Sequence, residues 1–132
     1  MPHVNLIAVL LCGVASLVVG GLWYSPALFG KAWQRKAGLS DEQAKSGNMA
    51  MIFGLTFVLS VVAAYVFAMF LGTSMSLAGA VGAGFSAGLC WVAASFGINY
   101  LFERRPLGLW LINGGYHTLQ FTLFGLILGF MH

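Results

Sequence analysis

Toward the end of the sequence, Asn113, Tyr116, His117 and Gln120 fall at i, i+3, i+4 and i+7. That spacing draws an imidazole, two amides and a phenol down one side of an α-helix. Histidine is the side chain that titrates nearest neutral pH, so the stripe could take up a proton or hold a polar solute. The same groups could instead bond neighbouring helices, each stabilising the packing by about 1 kcal/mol or less. Counted from Pro106 at 1.5 Å per residue, His117 and Gln120 lie roughly 16 to 20 Å along their segment, which is mid-depth if the segment crosses a bilayer. A second polar group, Asn99, Glu103 and Arg105, surrounds the turn before Pro106. There it could form a cytoplasmic mouth to the same site or simply an ion pair in a loop.

Catalytic chemistry finds few members. No carboxylate lies within an apolar run, since Asp41, Glu42 and Glu103 all fall in connecting segments. A hydrolytic triad or carboxylate pair therefore cannot assemble at one depth. Phosphate-loop and dinucleotide fingerprints are absent, and the glycines sit inside apolar runs where packing accounts for them. His3 and His132 could meet only if the termini do, a weak basis for a metal site. The reading is a non-enzyme without metal or cofactor.

The elements that position these residues follow from composition. The 132 residues are 60% hydrophobic and 7% charged, where soluble domains carry about 25% charged residues. Four charge-free runs, about 4–24, 49–72, 77–102 and 107–131, each reach the ~20 residues needed to cross hydrocarbon. The fold class is therefore all-α, a single polytopic membrane domain over residues 1–132. It has four transmembrane helices and a cytoplasmic interfacial segment over 25–48. Lys31, Arg35, Lys36 and Lys45 lie between the first two runs, and Arg104 and Arg105 between the last two. By the positive-inside rule those loops are cytoplasmic and both termini lie outside. Six cations beside a membrane read as topology determinants rather than a nucleic-acid surface. Val9, Leu10, Leu11 and Cys12 loosely resemble a lipoprotein box, but large Leu11 precedes the cysteine. The first run thus reads as a retained helix. Cys12 and Cys90 lie inside apolar runs, where buried free thiols are expected rather than a disulfide.

In the interfacial segment, Ser25 with Pro26 is expected to start a short amphipathic helix bearing Leu28, Phe29, Ala32 and Trp33 on one face. Gly38 ends it, and Ser40 with Gln43 forms a capping box leading into the second run. Trp23, Tyr24, Trp33, Tyr100, Phe102 and Trp110 fall at one boundary as an aromatic belt. Small residues permit close helix approach. Ala80, Gly84 and Gly88, followed by Ser95 and Asn99, share a face of the third run. Gly115, Thr118, Thr122, Gly125 and Gly129 share one of the fourth. The second run is bulky all round and reads as lipid-facing. Gly84, Gly88, Gly125 and Gly129 are candidate contacts in a homo-oligomer, with membrane lipids and another membrane protein as further partners.

The string Gly21-Leu22-Trp23-Tyr24-Ser25-Pro26-Ala27-Leu28-Phe29-Gly30-Lys31, with Trp33 beyond it, resembles a family of small bacterial membrane proteins known as domain of unknown function 1761. Asn5, the Asn99, Glu103, Arg105 and Pro106 turn, and Asn113 to Tyr116 extend the likeness over nearly the whole chain. The resemblance implies a four-span protein of the bacterial inner membrane and supplies no activity or substrate. His117 and Gln120 match no motif of that family, so any role for them rests on their chemistry.

Overall fold

A computed structural model describes residues 4–131, which form seven α-helices and one π-helical stretch. Helix α1 spans Leu6–Trp23, α2 Gly30–Ala37, α3 Asp41–Lys45 and α4 Met49–Leu71. The third long rod consists of α5 (Leu77–Ser86), the π-helical stretch Ala87–Ala93 and α6 (Ala94–Glu103), and α7 spans Leu107–Met131. Three of these rods, Leu6–Trp23, Met49–Leu71 and Leu77–Glu103, are long and apolar enough to cross a membrane. Sequence reading expected four such spans. At 25 residues α7 has the length, but its polar stripe, threonines and glycines dilute its apolar character.

Instead α7 is the hub of the bundle. It packs against α5, the π-helical stretch and α6 on one side and against α1 on the other, while α4 leans on α1. A core of Ala8, Val9, Cys12, Ala64, Phe67, Ala68, Leu71, Ala80, Ala87, Phe124 and Leu128 fills the half of the bundle near the chain termini. Most bulky side chains of α4, including Phe53, Leu55, Val58, Leu59 and Val62, remain exposed. Polar side chains start the long helices: Asn5, Asn48 and Ser76 each accept from a backbone N–H three residues on, at Ala8, Met51 and Gly79. Asn5 also donates to the Met131 carbonyl, tying the beginning of α1 to the end of α7.

The four glycines expected between protomers are spent within the chain. A Cβ on Gly84 would strike the Phe121 carbonyl, and one on Gly125 the Ala80 carbonyl. Gly88 meets the backbone at His117 and Thr118, and Gly129 faces the Ala80 methyl. They form an α5–α7 seam in which backbone touches backbone, the approach that glycine alone permits.

The segment after α1 departs from expectation at its start. Ser25 does not cap a helix. Its hydroxyl donates to the Leu22 carbonyl at 2.7 Å, while Phe29 and Gly30 N–H groups return to Trp23 and Ser25 carbonyls. This tight turn delays α2 to Gly30. Gly30 is buried, and any Cβ there would hit the Tyr24 and Ser25 backbone, which explains the glycine in the Tyr24-to-Lys31 string. Gly30→Ala is expected to destabilise the protein by about 1–3 kcal/mol through this overpacking. The fall should be seen as a lower thermal midpoint in detergent. Gly38, at φ 77°, ends α2 as expected. The Ser40–Gln43 capping box is present but begins a separate short helix, α3.

Candidate functional site

Where α4 parts from α7, the bundle leaves a half-open cavity of about 740 Å³. Its walls come from Ser16, Gly20 and Tyr24 of the α1 side, Met49, Phe53 and Thr56 of α4, Phe96 of α6, and Asn113, Tyr116 and His117 of α7. Lys31, Trp33, Gln34, Leu39 and Gln43 of the α2–α3 segment line its end nearest the α1–α4 connection. Three of the four stripe residues thus line an open space.

The fourth belongs to its floor. Gln120 is only 6% exposed and donates through Nε2 to Ser16 Oγ of α1 at 2.9 Å and Ser60 Oγ of α4 at 3.3 Å. Its Oε1 lies 2.7 Å from His117 Nδ1. That oxygen can only accept, so Nδ1 carries a proton, and in the neutral imidazole Nε2 then holds the lone pair. The imidazole is stacked on Phe96, with ring centroids 5.0 Å apart and planes 14° apart, and Tyr116 meets it edge-on. Among the described residues no fully buried side-chain nitrogen or oxygen lacks a partner. His117 Nε2 makes no hydrogen bond and is therefore not fully buried, and the His117 side chain is part of the cavity lining.

Above the floor, a second network fixes Asn113. Its Oδ1 accepts from the Tyr24 hydroxyl at 2.6 Å, and its Nδ2 donates to Tyr100 Oη at 2.7 Å. Tyr116 donates to the Ser16 carbonyl at 2.9 Å, Trp23 to the Ile112 carbonyl at 2.8 Å and Trp110 to the Ala93 carbonyl at 2.7 Å. Much of the expected aromatic belt is therefore turned inward as hydrogen-bond donors that lock helices together.

The expected mouth residues stand elsewhere. Asn99, Glu103 and Arg105 are exposed and none lines the cavity. Arg105 pairs with Glu103 at 3.6 Å and reaches the Ala37 carbonyl at the end of α2 at 3.4 Å, so the group tethers α2 to the α6–α7 turn. The π-helical stretch displaces Asn99. On a continuous α-helix Gly88, Ser95 and Asn99 share a face, but the wider π turn inserts an extra residue. The seam accordingly steps from Gly88 to Ala93, Phe96, Gly97 and Tyr100, leaving Ser95 and Asn99 outside. Tyr100, Phe96, Tyr24, Ser16 and Ser60 are the site residues that sequence spacing missed. For Ser16 and Tyr24 a signal existed, a lone hydroxyl within the apolar first run and the Trp23–Tyr24 pair before Ser25; for Tyr100 there was none without the π turn.

Cys12 is buried and Cys90 exposed, both as free thiols. Among the described residues no three His, Cys, Asp or Glu side chains converge; His3 and His132 lie outside the described residues. No curated protein and no solved structure matches the chain. A family model does match, over residues 7–129, which is nearly the full length of the folded bundle. By that match the chain belongs to the family described as a protein of unknown function, DUF1761.

Proposed function

We propose that this is a four-span protein of the bacterial inner membrane whose vestibule, open toward the cytoplasm, binds or passes a small solute, ion or lipid headgroup. One observation carries the reading: His117, with no hydrogen bond at Nε2, lines a 740 Å³ cavity, within the size range of about 300–1,000 Å³ that ligand sites occupy. The Asn5 bond to the Met131 carbonyl supports an even number of crossings, because it brings the two ends of the bundle together. With its polar groups paired inside the bundle, α7 can occupy hydrocarbon despite its stripe. The basic segment over the cavity supports a cytoplasmic mouth and external termini. Assembly into a homo-oligomer is supported by a face other than the glycine seam: Ser86, Ser95 and Asn99 lie exposed along one rod, where a second copy could satisfy them.

The competing reading is a structural or accessory subunit. It is favoured by Gln120 and Asn113, whose amide groups are bonded as glue would be. A single cysteine separates the two. In a variant lacking Cys12 and Cys90, His117→Cys is expected to react with a small water-borne thiol reagent, and a cysteine at position 38 is expected to be labelled from the cytoplasmic side. Complete protection at 117 would sink the vestibule and leave the accessory reading. External labelling at 38 would reverse the topology.

A further inference from the structure

The kind of molecule that fits this vestibule can be read from what its walls offer and lack; the reading rests on the vestibule proposed above. Among the described lining residues there is no carboxylate, and Lys31, exposed on α2 at the mouth, is the one charged side chain. Lys31 draws an anion toward the mouth and repels a cation there, and the nearest carboxylate, Asp41, is engaged by the lining residue Gln34 at 2.7 Å. At the deep end the requirement is different. With His117 Nδ1–H committed to Gln120, Nε2 of the neutral imidazole accepts a hydrogen bond and cannot give one. Whatever sits against it must bring a proton donor. The titratable groups of the surrounding elements are Tyr116 on its own helix, Tyr24 at the end of α1, Tyr100 on α6 and, at the mouth, Lys31 on α2, while α4 presents only the hydroxyls of Thr56 and Ser60. None of these is a carboxylate that could neutralise an imidazolium. Between the two ends the walls are rings: Tyr24, Trp33, Phe53, Phe96 and Tyr116.

An anion at the mouth, a proton donor at the floor and an apolar, planar body between them describe one chemical class. The geometry points to an amphipathic organic weak acid, a carboxylic acid or acidic phenol on a ring system or chain, bound as its anion together with one proton. No covalent bond forms or breaks. The proton comes from cytoplasmic water and comes to rest between the acid oxygen and Nε2, so the vestibule takes up the neutral pair HA although it recruits A⁻. An acidic lipid headgroup shares this chemistry with a free acid, and the two sources are separable by experiment.

The probe is 2-naphthoic acid, titrated calorimetrically into the full-length protein in phosphatidylcholine nanodiscs, with protein-free nanodiscs as reference. Comparison ligands are methyl 2-naphthoate, which lacks the donor, and 2-naphthylmethylammonium, which reverses the charge. The acid is expected to bind with close to one proton taken up, counted from buffers of different ionisation heat. Its affinity should rise as pH falls, by up to about tenfold per unit. The ester and the ammonium are expected to bind at least about tenfold more weakly. His117→Phe, which keeps the stack on Phe96, should lose the proton uptake. Lys31→Gln, at an exposed position that tolerates change, should weaken the acid at low salt and little at high salt.

Equal binding of acid and ammonium, or acid binding without proton uptake, overturns the weak-acid assignment while the vestibule stands. The same holds if no probe binds but a cysteine at 117 is reactive. If no probe binds and that cysteine is protected, both fall together. Native mass spectrometry assigns the source. An anionic phospholipid that co-purifies, is displaced by naphthoate and is lost in Lys31→Gln identifies a lipid headgroup; its absence beside normal naphthoate binding identifies a free acid.

Discussion

Gly125→Leu is expected to destabilise the protein by about 3 kcal/mol or more, at the upper end of what overpacking costs. The obstacle at this position is backbone, the Ala80 carbonyl and the Val81 Cα of α5, and backbone cannot swing aside as a side chain does. To admit a leucine, α5 and α7 must separate along the whole seam, because Gly84 against Phe121, Gly88 against Thr118 and Gly129 against Ala80 depend on the same approach. In a membrane the lost contacts are not replaced by a hydrophobic drive between helices. By comparison, one interhelical hydrogen bond in a bilayer contributes about 0.6 kcal/mol on average, so the steric effect should exceed any single polar substitution in the stripe. Gly82→Leu is the control. It lies on α5, the helix that faces Gly125, with open space beyond it, and removing a helical glycine there is expected to be neutral or stabilising by up to about 1 kcal/mol. Unfolding titrations in mixed detergent read both. Normal stability in Gly125→Leu would remove the seam, and a loss confined to Gly82→Leu would place the important contact on the outer face.

How much of this was legible beforehand divides along physical lines. Four long rods, the short amphipathic helix and the close-packing roles of Gly84, Gly88, Gly125 and Gly129 follow from apolar length and from the lack of a Cβ, both local properties. Whether those glycines meet a neighbour in the same chain or in another copy is not local, and it came out intramolecular because α7 runs directly alongside α5. The stripe of Asn113, Tyr116, His117 and Gln120 was visible because 3.6-residue periodicity holds unbroken along α7. Its partners were less so. Ser16 and Ser60 are single hydroxyls on apolar helices, and nothing in their neighbourhoods says that both reach one amide. On the third rod the periodicity itself fails, since the π turn at Ala87–Ala93 exchanges Asn99 for Tyr100 as the residue facing Asn113. Asn99 was placed by a rule that holds for regular helices and is displaced by one extra residue, whereas Glu103 and Arg105 form the exposed ion pair of the loop that was the other expectation for them.

The floor at Gln120 makes the second large effect a contrast over a single turn of α4. Thr56 lines the cavity, whereas Ser60, 4% exposed, is sealed beneath it against Gln120. In the variant lacking Cys12 and Cys90, Thr56→Cys is expected to react with a water-borne thiol reagent applied to inverted membrane vesicles. Ser60→Cys should react about a hundredfold more slowly, since its exposure requires a local opening that costs roughly 3 kcal/mol. Each possible architecture gives its own pattern. A vestibule closed at its floor leaves Thr56→Cys reactive and Ser60→Cys protected, from the cytoplasmic side only. A continuous channel makes both reactive from either side, because water must then pass Ser16, Ser60 and Gln120. A dry seam protects both. Adding Gln120→Ala tests the plug directly: with the amide gone, Ser16 and Ser60 lose the group that bridges α1, α4 and α7, and Ser60→Cys should become reactive while Thr56→Cys is unchanged. If Ser60→Cys stays protected in that background, the apolar core beyond it and not the amide forms the barrier, and Gln120 serves only to hold the His117 Nδ1–H toward it.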